Sequence, residues 1–272
     1  MNGYTEGRNV TFERRFADGQ PERLPVLAEN LARLKLSIIV AYGATAARAA
    51  KNATADIPIV MMVHPDPVSA GLVASMSKPG GNVTGLARLS QELSTKRLEL
   101  LKDAIPGLSR VALLWYPGSR DGERSVQEIE RAARPLGVHI QVLEIRSPGD
   151  LEAAFAGMKH GHADALITVP STMLLDHHPA IAALSAKHRL PGIFPDSEFV
   201  EAGGLMAYGA RLSDEFHRAA IYVAKILKGA KPAALPVEEP TRFEFAINLK
   251  TAKALGLAIP PSTLIRADRV LE

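Results

Sequence analysis

Apolar and polar positions along the chain alternate between two periods. Leu24, Leu27, Leu31 and Leu34 recur at helical spacing and predict a helix. Residues 37–42 form a continuous apolar run, the pattern of a parallel strand covered on both faces. Gly43-Ala44-Thr45 opens an Ala-rich helical segment, and residues 57–63 form a second apolar run ending in His64-Pro65-Asp66-Pro67. Between residues 9 and 16, Val10, Phe12 and Phe16 alternate with Thr11, Glu13 and Arg15, which predicts a strand with one wet face. These βα units define a first lobe.

The pattern restarts beyond Gly85. Leu93, Leu98, Leu101 and Ile105 predict a helix, followed by strands over 111–116, 140–145, 165–169 and 192–194 with helices between them. Alternation of this kind implies right-handed crossovers and a parallel sheet. Gly203-Gly204 breaks the alternation. Residues 205–208 then read as a short strand returning to the first lobe, followed by an amphipathic helix through Phe216, Ile221, Ala224 and Leu227, capped by Gly229. Residues 231–240 are Pro-rich and read as a surface connection.

At 272 residues the chain has room for two medium α/β domains. The 32 basic residues are scattered among 29 acidic ones, so no basic tract points to nucleic acid. The absence of cysteine excludes disulfides, thiolate metal sites and a Cys nucleophile. No apolar run reaches the ~20 residues that span a bilayer, so membrane insertion is not expected. The first residues, Met1-Asn-Gly-Tyr-Thr-Glu-Gly-Arg8, carry no basic start followed by an apolar stretch, hence no signal peptide.

Two segments, Lys78-Pro-Gly-Gly-Asn-Val-Thr-Gly85 and Pro240 to Pro261, are short, extended and flanked by turn residues. Neither falls where the alternation calls for another core strand, so both read as straps between lobes. With the KPGGNVTG segment, the GGLMAYG return at 203–209 and the FEFAINLKTAKALGL tail at 243–257, the chain resembles the substrate-binding components of bacterial ABC transporters from Gly3 to its end. The resemblance implies an α/β fold of the type I periplasmic-binding-protein kind: two Rossmann-like lobes with parallel sheets, joined by a three-crossing hinge. The expected lobes are 1–84 with 206–240 and 85–205 with 241–272, with closure near Thr84, Leu205 and Phe243. Relatives begin with a signal, a strand and a helix before a GYxEGxN-like segment, which here is Gly3 to Asn9; the first strand and helix of the N-terminal lobe are therefore expected to be missing. The resemblance also implies a periplasmic location, permease subunits of an ABC transporter as partners, no enzymatic activity and no cofactor.

Ligands of open α/β sheets bind outside the carboxyl ends of the strands, which in two such lobes puts a small ligand in the cleft between them. The candidates in the first lobe are Tyr42, Gly43, Ala44, Thr45, His64 and Asp66; in the second they are Tyr116, Gly118, Ser119, Ser171, Thr172 and Asp196, with Tyr208 from the returning strand. Gly43-Ala44-Thr45 at a helix start suits a ligand carboxylate, although Thr45 could simply cap the helix. Gly118-Ser119 and Ser171-Thr172 repeat that chemistry. Asp66 and Asp196 could meet an ammonium group or serve as helix N-caps. Trp115 and Tyr116 are neighbours on a strand and must face opposite ways, with Tyr116 the better cleft residue. Resemblance makes an amino-acid-like or small carboxylate ligand the leading expectation. The segment Tyr116-Pro-Gly-Ser-Arg120 departs from the Asn-Pro-rich loop of many relatives.

His160-Gly-His162 and Asp176-His177-His178 do not supply three or four convergent metal ligands. No GxSxG, Walker A or GxGxxG pattern is present. Two other readings stay open: an effector-sensing domain of a transcription regulator, which would need a helix-turn-helix, and an α/β enzyme using His64, Asp66 or Asp196 as acid or base.

Overall fold

The computed structural model describes residues 3–64, 66–88, 91–117 and 120–272, with the side chains of His64, Gln91, Glu92, Arg120 and Asp121 outside that description. The chain is an α/β protein with parallel-dominated sheets. It divides into two compact units, Met1–Leu89 with Leu212–Thr241, and Ser90–Arg211 with Arg242–Glu272.

The first unit holds a three-stranded parallel sheet, in order β1 (Ile39–Tyr42), β2 (Ile59–His64) and β3 (Val83–Ala87). Helices α1 (Leu24–Arg33) and α2 (Ala44–Ala53) accompany it, with Ala47 and Ala50 of α2 packed on Ile39, Ala41, Ile59 and Met61. The opposite face meets α9 (Leu212–Leu227), whose Ala219, Tyr222 and Ile226 cover Val60, Met62 and Leu86. That cover stops short of β1: Val40, on the same face, is 48% exposed. The expectation that residues 37–42 are buried on both faces is corrected accordingly.

Residues 78–85 also differ from their reading as a strap. Residues 83–87 are buried throughout and form β3, a core strand. The strand joins β2 across an irregularity: the register shifts between Met61 and His64, and Val63 has φ +56. Gly85, at φ +133, lies opposite Met61, and a Cβ there would collide with the Met61 carbonyl oxygen. The other polar residues of the segment fasten the sheet. The Asn82 amide donates to the Thr54 and Ile57 carbonyls at 3.0 and 2.9 Å, and the Thr84 hydroxyl donates to Leu235 at 2.7 Å. Residues 231–240 are correspondingly more than a surface link: Val237 is buried, and Leu86 bridges Glu238.

Residues 9–16 do not form the expected strand. Glu6 bridges Val10, and Phe12 and Phe16 are exposed. Alternation alone makes no strand without a neighbour to pair with, and among the described residues this segment has none beyond that bridge.

The second unit is a seven-stranded sheet in the order β10 (Arg269–Leu271), β9 (Glu244–Asn248), β8 (Met206–Gly209), β7 (Gly192–Phe194), β6 (Ala165–Thr168), β4 (Arg110–Trp115), β5 (His139–Glu144). All neighbours are parallel except β8 and β9. One face packs on α3 (Gln91–Ala104) and α4 (Arg120–Ala133), the other on α5 (Leu151–His160), α6 (Thr172–Asp176), α7 (His178–Lys187) and α8 (Glu198–Glu201). Two expectations change here. The strand at 206–209 pairs with β7 and β9 and so belongs to this unit instead of returning to the first. The tail, read as a strap, contributes the fully buried β9 and then α10 (Leu249–Leu255), capped by the Asn248 side chain, which accepts from Thr251 N–H at 3.0 Å. The chain passes between units after Leu89, Arg211 and Thr241, so the crossings near 84 and 205 are displaced. Near 84 the residues read as a strap are themselves a sheet strand, and near 205 the expected strand pairs within the second unit.

Candidate functional site

In each unit the parallel strands carry their carboxyl ends to one edge, and each edge is built separately. In the first unit, β1 ends at Tyr42 and Gly43 turns the chain into α2 at φ +87. Its N–H donates to Met62 O at 3.0 Å, and its carbonyl accepts from Ala47 N–H. Gly43 is thus the N-cap, with no side-chain cap hydrogen bond. The first-turn amides of Ala44 and Thr45 lack an intrahelical acceptor by geometry, and the dipole favours an anion there. Thr45 is exposed in that turn; it lies inside the helix and is not its cap.

His64 closes β2 opposite Ala87; its side chain is outside the described residues, as is Pro65. Val63, just before it, is β-branched at positive φ, a strained backbone of the kind that gathers at ligand sites. Asp66 starts a turn and not the helix expected after it: Oδ1 accepts from Ser69 N–H at 3.0 Å and the carbonyl from Ala70 N–H at 3.1 Å.

Two features of this edge were not anticipated. Arg88, just past β3, forms a buried bidentate ion pair with Glu215 in the first turn of α9, Nε donating to Oε1 at 2.9 Å and Nη2 to Oε2. The neighbouring Phe216 stacks on Tyr42, ring centroids 5.9 Å apart and planes 4° from parallel. Phe216 was assigned to the apolar face of its helix, yet it is 51% exposed. The buried face runs through Glu215, Ala219, Tyr222, Ala224 and Ile226, of which Ala224 was expected. The charge of Glu215 hid it from a search for apolar periodicity.

The second unit gathers Tyr116, Ser171, Thr172, Asp196 and Tyr208 at the carboxyl ends of β4, β6, β7 and β8. Tyr116 packs on the α5–α8 side of the sheet and Trp115 on the α3–α4 side, opposite ways as their adjacency requires. Gly118 and Ser119 lie outside the described residues. Ser171 is the N-cap of α6, its hydroxyl accepting from Leu174 N–H at 3.1 Å, and Thr172 beside it is exposed. Asp196 is 3% exposed, and the N-cap of α8 is Ser197. The Tyr208 carbonyl accepts from Nε of the fully buried Arg97 at 2.7 Å, and its ring lies against Phe243 and Phe245. A Cβ at Gly209 would collide with the Pro195 carbonyl oxygen, so β7 and β8 end in close backbone contact. Glu244, on β9 opposite Gly209, is buried and paired with Arg211 at 3.4 Å.

Three of the histidines singled out earlier bond to backbone carbonyls three or four residues before them: His177 Nδ1 to Met173, His178 Nδ1 to Leu175 and His160 Nδ1 to Ala156, each at 2.8 Å. Among the described residues no group of three or more His, Cys, Asp or Glu could hold a metal ion, and no helix is long and apolar enough to cross a membrane.

Comparison with known proteins adds a second line of evidence. A family model described as ABC transporter substrate binding protein matches residues 1–271. A tyrosine-binding protein from Clostridioides difficile is 27% identical over 256 residues, covering 94% of this chain and 73% of its own. Among solved structures, a conserved domain protein from Vibrio cholerae superposes with a TM-score of 0.91 at 26% identity, covering 99% of this chain and 90% of that one. The ABC domain in complex with L-Trp from Streptococcus pneumonia gives 0.89 at 25% identity, with the same coverage.

Proposed function

Because the chain belongs to the ABC transporter substrate-binding protein family, we propose that it captures a small amino-acid-like solute, without chemical conversion, and presents it to the permease of an importer. The observation that carries this reading is the start of α2. Gly43 is its N-cap without a side-chain cap bond, and Thr45 exposes a hydroxyl beside first-turn amides at the carboxyl end of β1. That arrangement suits a carboxylate. Ala44 extends the same turn.

In this proposal the remaining candidates serve the rest of the ligand. Asp66, His64 and Tyr42 act from the first unit. Tyr116, Gly118, Ser119, Ser171, Thr172, Asp196 and Tyr208 act from the second, with the buried Asp196 as acceptor for an ammonium group. The tyrosine-binding relative and the structure holding L-Trp support an amino-acid ligand. Delivery to a permease implies work outside the cytoplasmic membrane, in the periplasm.

The test is calorimetry and thermal shift with amino acids and small carboxylates. A ligand at a hundredfold over its Kd stabilises the protein by about 2.7 kcal/mol. Thr45→Ala and Asp196→Asn are expected to weaken that ligand while leaving the unliganded melting temperature nearly unchanged for Thr45→Ala. Absence of binding across both classes, in a sample that melts cooperatively, sinks the proposal.

A further inference from the structure

The outer edges of the two sheets are not protected alike. In the seven-stranded sheet, β5 carries His139, Gln141 and Glu144, and β10 begins with Arg269. In the three-stranded sheet the chain itself closes the outer side of β3. Ala87 N–H donates to the Glu238 carbonyl at 2.9 Å, and Glu238 N–H to the Gly85 carbonyl at 3.0 Å. β1 differs from all of these. Residues 37–42 contain neither charge nor proline, the usual protections of an edge strand. Among the described residues β1 has β2 as its one strand neighbour. Ile39 N–H donates to the Pro58 carbonyl and Gly43 N–H to that of Met62, so residues 39, 41 and 43 face β2. Val40 therefore turns its amide and carbonyl away from β2. Its side chain stands half exposed on the α9 face, in a row with Ile38 and Tyr42.

The same unit holds a strand pattern that lies in no sheet. Val10, Phe12, Arg14 and Phe16 alternate with Thr11, Glu13 and Arg15, and every residue from 11 to 16 is exposed. In its own chain the segment is held to an N-terminal turn by the Glu6–Val10 bridge and the Glu6–Arg14 ion pair at 3.0 Å. We propose that residues 9–16 pair with the outer edge of β1 in a second copy of this chain. The product is a twofold dimer in which each protomer adds a strand to the other's three-stranded sheet. Alternation then places Val10, Phe12 and Phe16 beside the apolar row of Ile38, Val40 and Tyr42, and Thr11, Glu13 and Arg15 on the opposite face. The exchange is reciprocal, so both open edges close together. Glu13, Arg14 and Arg15 guard the new outer edge, and assembly stops at two chains.

The test uses the full chain, whose lack of cysteine leaves introduced ones unambiguous. Val40→Cys chains are mixed, under oxidising conditions, with chains carrying Val10→Cys, Phe12→Cys or Arg14→Cys. A parallel set carries Thr11→Cys or Glu13→Cys. Disulfides between unlike chains are expected in the first set, where cross-strand side chains share a face, and not in the second. Sedimentation of the wild-type chain is expected to show a concentration-dependent dimer. Val40→Lys, which puts a charge on both symmetric edges, should weaken that dimer roughly tenfold or more, and Val40→Ile should keep it. Because Val40 is half exposed, Val40→Lys leaves a chain that still melts cooperatively. A chain that stays monomeric at every concentration overturns the proposal. So does a dimer indifferent to Val40→Lys, or cross-linking with no preference for one face of the segment.

Discussion

The seven-stranded sheet buries five strands between two neighbours each, and Val111, Ala112, Leu113, Leu114, Ala165, Leu166 and Ile167 are all at 0% exposure. The three-stranded sheet has one interior strand, β2, where Ile59 to Met62 are at 0%, while Val40 on the neighbouring β1 is 48% exposed. A larger sheet stabilises itself through area, because the interior grows faster than the surface. A small one relies more on individual contacts. In the first unit these are the Arg88–Glu215 pair, the Gly85 approach to Met61 and the Thr84 hydroxyl bond to Leu235. Single substitutions are therefore expected to be felt most strongly there.

The largest effect is expected from Arg88→Ala. It leaves Glu215 buried without its guanidinium and should cost about 3–5 kcal/mol, read as a lower denaturation midpoint. Hydrogen exchange should show the loss concentrated in β2, β3 and α9. An exchange pattern altered equally in β4 and β6 would dissolve the contrast between the units. Gly85→Ala and Gly209→Ala form a matched pair, since each added methyl meets a backbone carbonyl. Overpacking costs about 1–3 kcal/mol, occasionally more. Gly85 carries the additional strain of φ +133, so it should suffer more; the reverse order in thermal melts would argue against the small-sheet explanation. Asn248→Ala removes the cap of α10 and a bond to Val200 at 3.2 Å. About 1–2 kcal/mol is expected, measurable by urea unfolding.

The smallest effects concern pH. In the first unit, the Arg218 guanidinium on Glu238 holds that carboxyl below its ordinary range, against burial. In the second, burial pushes Asp164 up, yet the Ser109 and Arg110 amides and the Ser109 hydroxyl together hold it below the ordinary value. Both folded-state values lie under the unfolded ones. The stability from each is complete above about pH 4 and is lost as pH falls through the folded value. Carbon-13 titrations in low and high salt should separate them. Glu238 should move toward its ordinary value in salt, because a partly exposed ion pair is screened, whereas Asp164, held by hydrogen bonds, should move little.

Much of the fold was readable from periodicity, because the strands over 111–115 and 165–168 and the helices α1, α2 and α5 have uninterrupted patterns. The errors share a physical origin. Residues 83–87 contain Gly85, which looks like a break in a strand, and residues 206–209, read correctly as a strand, end on Gly209 and were given to the wrong unit. Both glycines mark places where two backbones approach too closely for a side chain. Residues 9–16 alternate correctly and still form no strand. The polar residues of the resemblance segments, Asn82, Thr84, Asn248 and Thr251, serve as fasteners within their units: Thr251, for example, donates to the Gly203 carbonyl at 3.0 Å. Of the candidate site, Gly43 and Thr45 were legible because a glycine before an Ala-rich helix announces an open N-terminus. Phe216, Arg88 and Glu215 were not, since their meaning depends on partners 127 or more residues away in the chain, as the Arg88–Glu215 separation shows.

The type of many elements and the α/β class were already set by the order of apolar and polar residues, and the family by its long motifs, because periodicity and motifs are local properties. Which strand joins which sheet, where the chain crosses between units and which aromatic ring stays in solvent were settled by packing. Those outcomes depend on neighbours brought together from distant parts of the chain, and one exposed face such as that of Phe216 follows from what α9 buries on its other side.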